Sequence, residues 1–307
     1  MKTGIFWDER CTKHEVSRGH PESPHRLWAI NETIKKHPSL INSKPRMATT
    51  EEILSIHTQA MIEKAEQSRG QPLSYLGHEM AANEFTAEAA FLSAGSTIDL
   101  VDAIEAGELD NGFSFPRPPG HHAEHDRPMG FCLFNNIAIA AQHLITKRGL
   151  SRIAIVDYDV HHGNGTQGSF YDRKDVLFAS IHRYPFYPGT GAKQEIGAGQ
   201  GKGYTVNAPL PGYSDDHVYQ KTFDDIIVKA VDDYKPEFIL VSAGYDAHER
   251  DYMGGMSLTK AGFQHMNEQL LALANKHCSG KIVFVLEGGY DMKGLQEGVE
   301  SVFETLV

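Results

Sequence analysis

The chain has 307 residues, and 40% hydrophobic with 22% charged content is the balance of an ordinary soluble globular protein with a sizeable core. A formal net charge of -11 excludes a general nucleic-acid binder, which would present a basic face, while leaving room for a cationic substrate. Three cysteines, Cys11, Cys132 and Cys278, are too few and too scattered for a disulfide framework, and no apolar stretch approaches a membrane-spanning length. With no apolar signal-like run in the first ten residues, these features lead us to expect a cytoplasmic protein with reduced thiols and no membrane partner.

The elements alternate along the chain. Apolar residues recur at helical spacing over residues 84–104, and a short apolar strand follows at 112–115. A second helical pattern covers 136–146, then strands at 153–156 and 176–181. Residues 183–212, rich in Gly, Pro and Tyr, read as one long ordered loop. Helical spacing returns at 215–234, a strand at 238–241, a helix at 259–276 and a strand at 281–286. Near-continuous apolar strands alternating with amphipathic helices predict an α/β fold with a central, mainly parallel sheet covered on both faces. No repeat or linker divides the chain, so one domain over residues 1–307 is expected.

Each of these strands runs into a polar segment, three of which contain glycine: RPPGHH at 117–122, DYDVHH at 157–162, HR at 182–183, AGYD at 243–246 and EGGY at 287–290. Ligands of open parallel sheets bind at the carboxyl ends of the strands, so five such exits predict one composite site. Asp159 and His161 stand two apart, and an extended strand would put both on one face, offering oxygen and nitrogen to one divalent cation. Asp157 falls on that same face. A satisfied polar strand exit is the plainer alternative for a lone His, but not for two carboxylates and two imidazoles after an apolar strand. Asp246 is either a helix N-cap or a third ligand that leaves an open coordination position. His121 and His122 suit proton transfer near neutral pH. The EGGY segment is either a tight turn with a packed Tyr or a pivot that brings the Tyr290 hydroxyl to a developing oxyanion. The aromatics near 131 and 186–187 are either core or the walls of a narrow apolar tube.

In this order, and together with HPESPHR at 20–26, HHGNGTQ at 161–167, YPGTG at 187–191 and GKGY at 201–204, the motifs resemble the zinc-dependent histone deacetylase family of the arginase/deacetylase superfamily. The form RPPGHHAE with HHGNGTQ resembles its class II branch and bacterial relatives. The resemblance implies one zinc on Asp159, His161 and Asp246, His122 as general base and later acid, His121 as its electrostatic partner oriented by Asp157, and Tyr290 polarising the acyl carbonyl. Asn164 stands where class I members carry an aspartate, so an amide would hold His122. One or two structural potassium ions are implied as well, the first on Asp157, Asp159, His161, Ser180 and Ile181, the second on Phe170, Arg173, Val176 and Tyr204. Gly130, Phe131, Tyr187 and Met253 would line an acyl-lysine tunnel.

The implied reaction is hydrolysis of an N-acyl amide on the side-chain amine of lysine in proteins or peptides. Acetylpolyamines and other small acylated amines are the alternative substrates. Met253 stands where polyamine-selective relatives carry a glutamate, and 20–24 lacks their Cys-bearing insert; both weaken that alternative. A non-catalytic acyl binder would be expected to lose a ligand or the tyrosine, and an arginase-like two-metal hydrolase would want a carboxylate where Asn164 offers an amide.

Overall fold

The structure is a computed structural model that describes every residue from 1 to 307 except Arg18 and His78. Its strands are β1 (Thr3–Phe6), β2 (Ile41–Asn42), β3 (Ser74–Gly77), β4 (Met80–Ala82), β5 (Asn111–Ser114), β6 (Ile153–Asp157), β7 (Val176–Arg183), β8 (Thr205–Leu210), β9 (Phe238–Ala243) and β10 (Ile282–Leu286). Its helices are α1 (His25–Ile34), α2 (Thr50–Leu54), α3 (Gln59–Gln67), α4 (Thr86–Glu105), α5 (Asn136–Arg148), α6 (Asn164–Phe170), α7 (Asp216–Thr222), α8 (Lys229–Tyr234), α9 (Lys260–Cys278) and α10 (Met292–Leu306).

Eight strands form one sheet in the order β2-β1-β5-β10-β9-β6-β7-β8, and every neighbouring pair in it is parallel. Side chains alternate between two apolar layers. Ala154 and Val156 face a cluster built with Leu27, Phe263, Leu295 and Phe303, whereas Ile153 and Ile155 face one built with Ile98, Leu100, Ile137 and Leu144. The strands look continuously apolar in sequence because both of their faces are buried. Side-chain oxygens start several helices, from Asn135 to Ala138 N (3.1 Å) before α5 and from Asp291 to Gly294 N (2.7 Å) before α10.

Two expectations need correction. Residues 183–212 are not one loop: β8 closes the sheet edge within them. Its sequence, TVNAPL, carries a polar Asn and a Pro, which an edge strand tolerates and a central strand does not. The segment 215–234 is helical but not uniformly α-helical, since a π-helical turn (Phe223–Val228) separates α7 from α8. The sheet's direction puts the carboxyl ends of β5, β6, β7, β9 and β10 along one edge. The strand order turns back there, with β9 and β10 inserted between β5 and β6.

Candidate active site

Strand β6 ends at Asp157, so Asp159 and His161 lie beyond it, not on it. Strand alternation is therefore not what aligns them. The Asp157 carboxylate accepts from Asp159 N (3.1 Å) and the Asp159 carboxylate from His161 N (2.9 Å), two successive side-chain-closed turns that fold the exit over the sheet edge. The His161 Nδ1 then lies 3.2 Å from Asp159 Oδ1 and 3.0 Å from Asp246 Oδ2. Asp246, just past β9, also accepts from Val160 N (3.0 Å). One ligand atom from each of Asp159, His161 and Asp246 fits within 4.8 Å of the others, and all three residues are buried.

This donor set fits a divalent cation. Burial alone would keep His161 neutral, yet Asp246 and Asp159 outweigh it and raise its pKa to about 10. Two buried carboxylates thus demand positive charge at this point, and a metal ion meets that demand with matching oxygen and nitrogen donors. The neighbouring backbone is shaped to these carboxylates. A Cβ on Gly288 would sit 2.2 Å from Asp246 Oδ2, and Gly288 N donates to Asp159 Oδ2 (2.7 Å).

The histidine pair comes from the segment after β5. Gly120 N and His121 N donate to Glu287 Oε2 (2.8 and 3.0 Å), which pins this segment to the one after β10. His121 Nδ1 meets Asp157 Oδ2 at 3.0 Å, and His122 Nδ1 meets Asn164 Oδ1 at 2.8 Å. The two imidazoles lie with centroids 4.0 Å apart, tilted by 43°, but are driven to opposite protonation states. For His121 burial is outweighed by Asp157, Asp159 and Glu287, and the pKa rises to about 10. For His122 burial and the positive charge of His121 and His161 act together and hold it well below the ordinary imidazole value. With Nδ1–H donated to the Asn164 oxygen, a neutral His122 keeps a basic lone pair on Nε2. The amide of Asn164 is itself oriented by Glu124, whose Oε1 accepts from Nδ2 at 2.7 Å.

Opposite this pair stands Tyr290. Burial and the nearby Asp246 charge raise its phenol well above 10, so it stays a donor at neutral pH. Gly289 before it has φ +113, a conformation only glycine adopts easily. A cavity of about 190 Å³ is lined by His122, His161, Tyr290, Gly130, Phe131, Tyr187 and Met253, which brings all four expected tunnel residues together. Phe186 and Glu79 complete its wall. Phe186 stacks on His161 at 5.3 Å, and Glu79 comes from the β3–β4 turn with φ +60.

The residues expected to hold monovalent cations fall into two places. Asp157 and Ser180 are paired neighbours on β6 and β7, with Ile181 next to them and Asp159 and His161 just beyond. Phe170, Arg173, Val176 and Tyr204 gather at the opposite, amino-terminal edge of β7 and β8. There the Phe170 carbonyl accepts from Arg173 N (3.1 Å) and the Tyr204 carbonyl from Phe178 N (2.9 Å).

Sequence reasoning missed the buried ion cluster beneath the site. Glu22 accepts from Arg117 Nε and Nη2 (2.5 and 3.0 Å) and from Arg26 Nη1 (3.2 Å). Arg26 in turn donates to the carbonyls of Gly289 (2.7 Å) and Glu287. The roles of Glu124 and Glu287 were also unassigned; the only sequence signal was their place in the RPPGHHAE and EGGY runs.

The sequence profile of the histone deacetylase domain matches residues 20–306. A protein of Archaeoglobus fulgidus named probable deacetylase is 40% identical over 301 residues, which cover 96% of this chain and 83% of that one. Histone deacetylase 10, chloroplastic, of Oryza sativa subsp. japonica is 38% identical, with 94% of this chain and 70% of the relative covered. The crystal structure of the HDA15 HD domain superimposes with a TM-score of 0.94 at 37% identity, covering 100% of this chain and 89% of that one.

Proposed function

The chain belongs to the histone deacetylase family and is a hydrolase of acetylated amides, and on that premise we propose that it removes acetyl or another acyl group from lysine side chains of proteins or peptides. The observation that carries this reading is the convergence of the buried Asp159, His161 and Asp246 with His122 and Tyr290 on one narrow cavity. The family is zinc-dependent, and these three side chains would hold the ion. Bound there, zinc supplies a Lewis acid that polarises the acyl carbonyl and makes water more acidic.

The chain's own groups carry the rest. His122 Nε2 accepts a proton from the attacking water and later gives it to the departing amine. Asn164 keeps the tautomer that this requires. His121, charged against Asp157, places a fixed positive charge beside the reacting centre. The Tyr290 hydroxyl donates to the oxyanion as it forms. Phe131, Phe186 and Tyr187 enclose the aliphatic stem of the substrate and exclude water.

Relatives named histone deacetylases support lysine over acetylpolyamines, and apolar Met253 lines the cavity together with a single acid, Glu79. Among the described residues one three-ligand cluster is found, which supports a single divalent ion per chain. We further assign potassium to the Asp157–Ser180 region, where buried oxygens converge, and to the carbonyls of Phe170 and Tyr204. The three free, buried cysteines support a reducing, cytoplasmic setting.

The test is steady-state hydrolysis of an acetyl-lysine peptide against N-acetylputrescine, with zinc counted on the same sample. Peptide turnover with one zinc per chain is expected, and Tyr290→Phe should lower kcat on the order of a hundredfold. Peptide left uncleaved by zinc-loaded protein would overturn the reading.

A further inference from the structure

Between β9 and α9 the chain passes the cavity mouth as RDYMGG at 250–255. Tyr252 is 70% exposed there, while the preceding Asp251 is only 5% exposed. Its carboxylate turns inward and takes three backbone N–H groups: Met253 N on Oδ1 (2.9 Å), and Tyr290 N (2.5 Å) and Asp291 N (2.9 Å) on Oδ2. A charge removed from water in this way is tolerated because its acceptor positions are filled, so the junction is geometrically strict.

The two segments that meet at Asp251 carry two residues of the cavity wall, Met253 and Tyr290. Tyr290 follows Gly288 and Gly289, whose backbones have no side-chain restraint of their own. Upstream of the tyrosine, Arg26 holds the carbonyls of Glu287 and Gly289. Downstream, α10 begins after Asp291, whose carboxylate is committed to Gly294 N (2.7 Å). Between these anchors the Tyr290 amide rests on Asp251.

We propose that Asp251 is the positioning residue for Tyr290, fixing the phenol end of the glycine pivot against the Met253 segment at the mouth. This rests on the reading of Tyr290 as oxyanion donor. Such a donor works only when its phenol oxygen lies within about 3 Å of the oxyanion, and a displacement of ~1 Å costs on the order of a hundredfold. The hydrogen bonds of the Asp251 carboxylate go to backbone N–H groups and not to a metal ligand, so it acts through the backbone that carries the phenol.

The experiment is a double-mutant cycle with hydrogen exchange on the same zinc-loaded proteins. Asp251→Ala should lower kcat by roughly tenfold to a hundredfold, and should have almost no further effect in a Tyr290→Phe background. Asp251→Asn can turn its one carbonyl oxygen to Tyr290 N and Asp291 N and its amide NH2 toward Met253. It should therefore restore most of kcat, keep the Tyr290 amide protected, and leave Met253 exchanging faster with KM raised. An equal loss of kcat in both backgrounds would show general damage and overturn the proposal, as would an unchanged kcat in Asp251→Ala. If Asp251→Ala does not fold, Asp251→Asn decides: equal protection at Met253 and Tyr290 overturns the proposal. If Tyr290→Phe alone leaves kcat intact, the oxyanion reading has failed instead, and exchange at the Tyr290 amide still reports whether Asp251 holds that segment.

Discussion

Replacing Glu22 by Gln removes one charge from a cluster that lies wholly out of solvent. Glu22, Arg26 and Arg117 are each 0% exposed. Burial would raise the Glu22 carboxyl, but Arg117, His14 and Arg26 outweigh it and hold the pKa at about 2, against 4.5 for an unperturbed group. A difference of that size corresponds to about 3 kcal/mol favouring the folded state at neutral pH, in the range found when one partner of a buried ion pair is lost. Scaled to the unfolding entropy of a chain of this length, that is a fall in Tm of about 5 °C. The sign with pH follows from the depressed folded-state value: the contribution is complete above the unfolded pKa and is lost as pH falls from about 4.5 towards 2. Urea unfolding of wild type and Glu22→Gln from pH 7 down to about 3.5 should show a gap that narrows at the acid end. Because Arg26 supports the carbonyls of Gly289 and Glu287, kcat should fall as well. A gap under 1 kcal/mol at pH 7, or one that does not change with pH, would refute the reasoning.

Asn164→Asp should place a carboxylate on His122 Nδ1, raise the imidazole pKa by on the order of one unit, and move the acid limb of the pH–kcat/KM profile upward. An unmoved limb would mean that His122 does not govern it. Gly288→Ala should cut zinc per chain well below one while the fold persists, because the new Cβ would lie 2.2 Å from Asp246 Oδ2; elemental analysis and thermal melting read this out. Met253→Glu should shift the ratio of kcat/KM toward acetylated polyamines over acetyl-lysine peptide, roughly tenfold, through one charge-assisted contact at the mouth. An unchanged ratio would take Met253 out of substrate selection.

The parts of this protein written locally in its sequence are those whose physics is local. A strand buried on both faces must be apolar throughout, so the interiors of β5, β6, β7, β9 and β10 are legible, and so are the polar exits that follow them. Runs with apolar residues at helical spacing reveal α4, α5 and α9 to within a few residues, the latter two behind the side-chain caps Asn135 and Thr259. The edge strand β8 escapes notice because a strand with one free edge admits Asn207 and Pro209. The two-residue β2 is too short to show any period.

At the site, residue types and order point to Asp159, His161, Asp246, the histidine pair and Tyr290, which the fold brings near one another, but not to the way they are held. The sequence reading aligned Asp159 with His161 by strand alternation, and the structure aligns them by two turns closed on Asp157 and Asp159 carboxylates. Glu22 meets Arg117 across 95 positions and Asp251 meets Tyr290 across 39, separations over which no pattern in the chain ties one residue to the other. Sequence thus determined the chemistry available at the carboxyl edge of the sheet, because side-chain identity and strand direction are intrinsic to the chain. Only the tertiary structure decided which buried charges face each other, since a carboxylate out of water takes its partners from whatever the packed fold brings within hydrogen-bond reach.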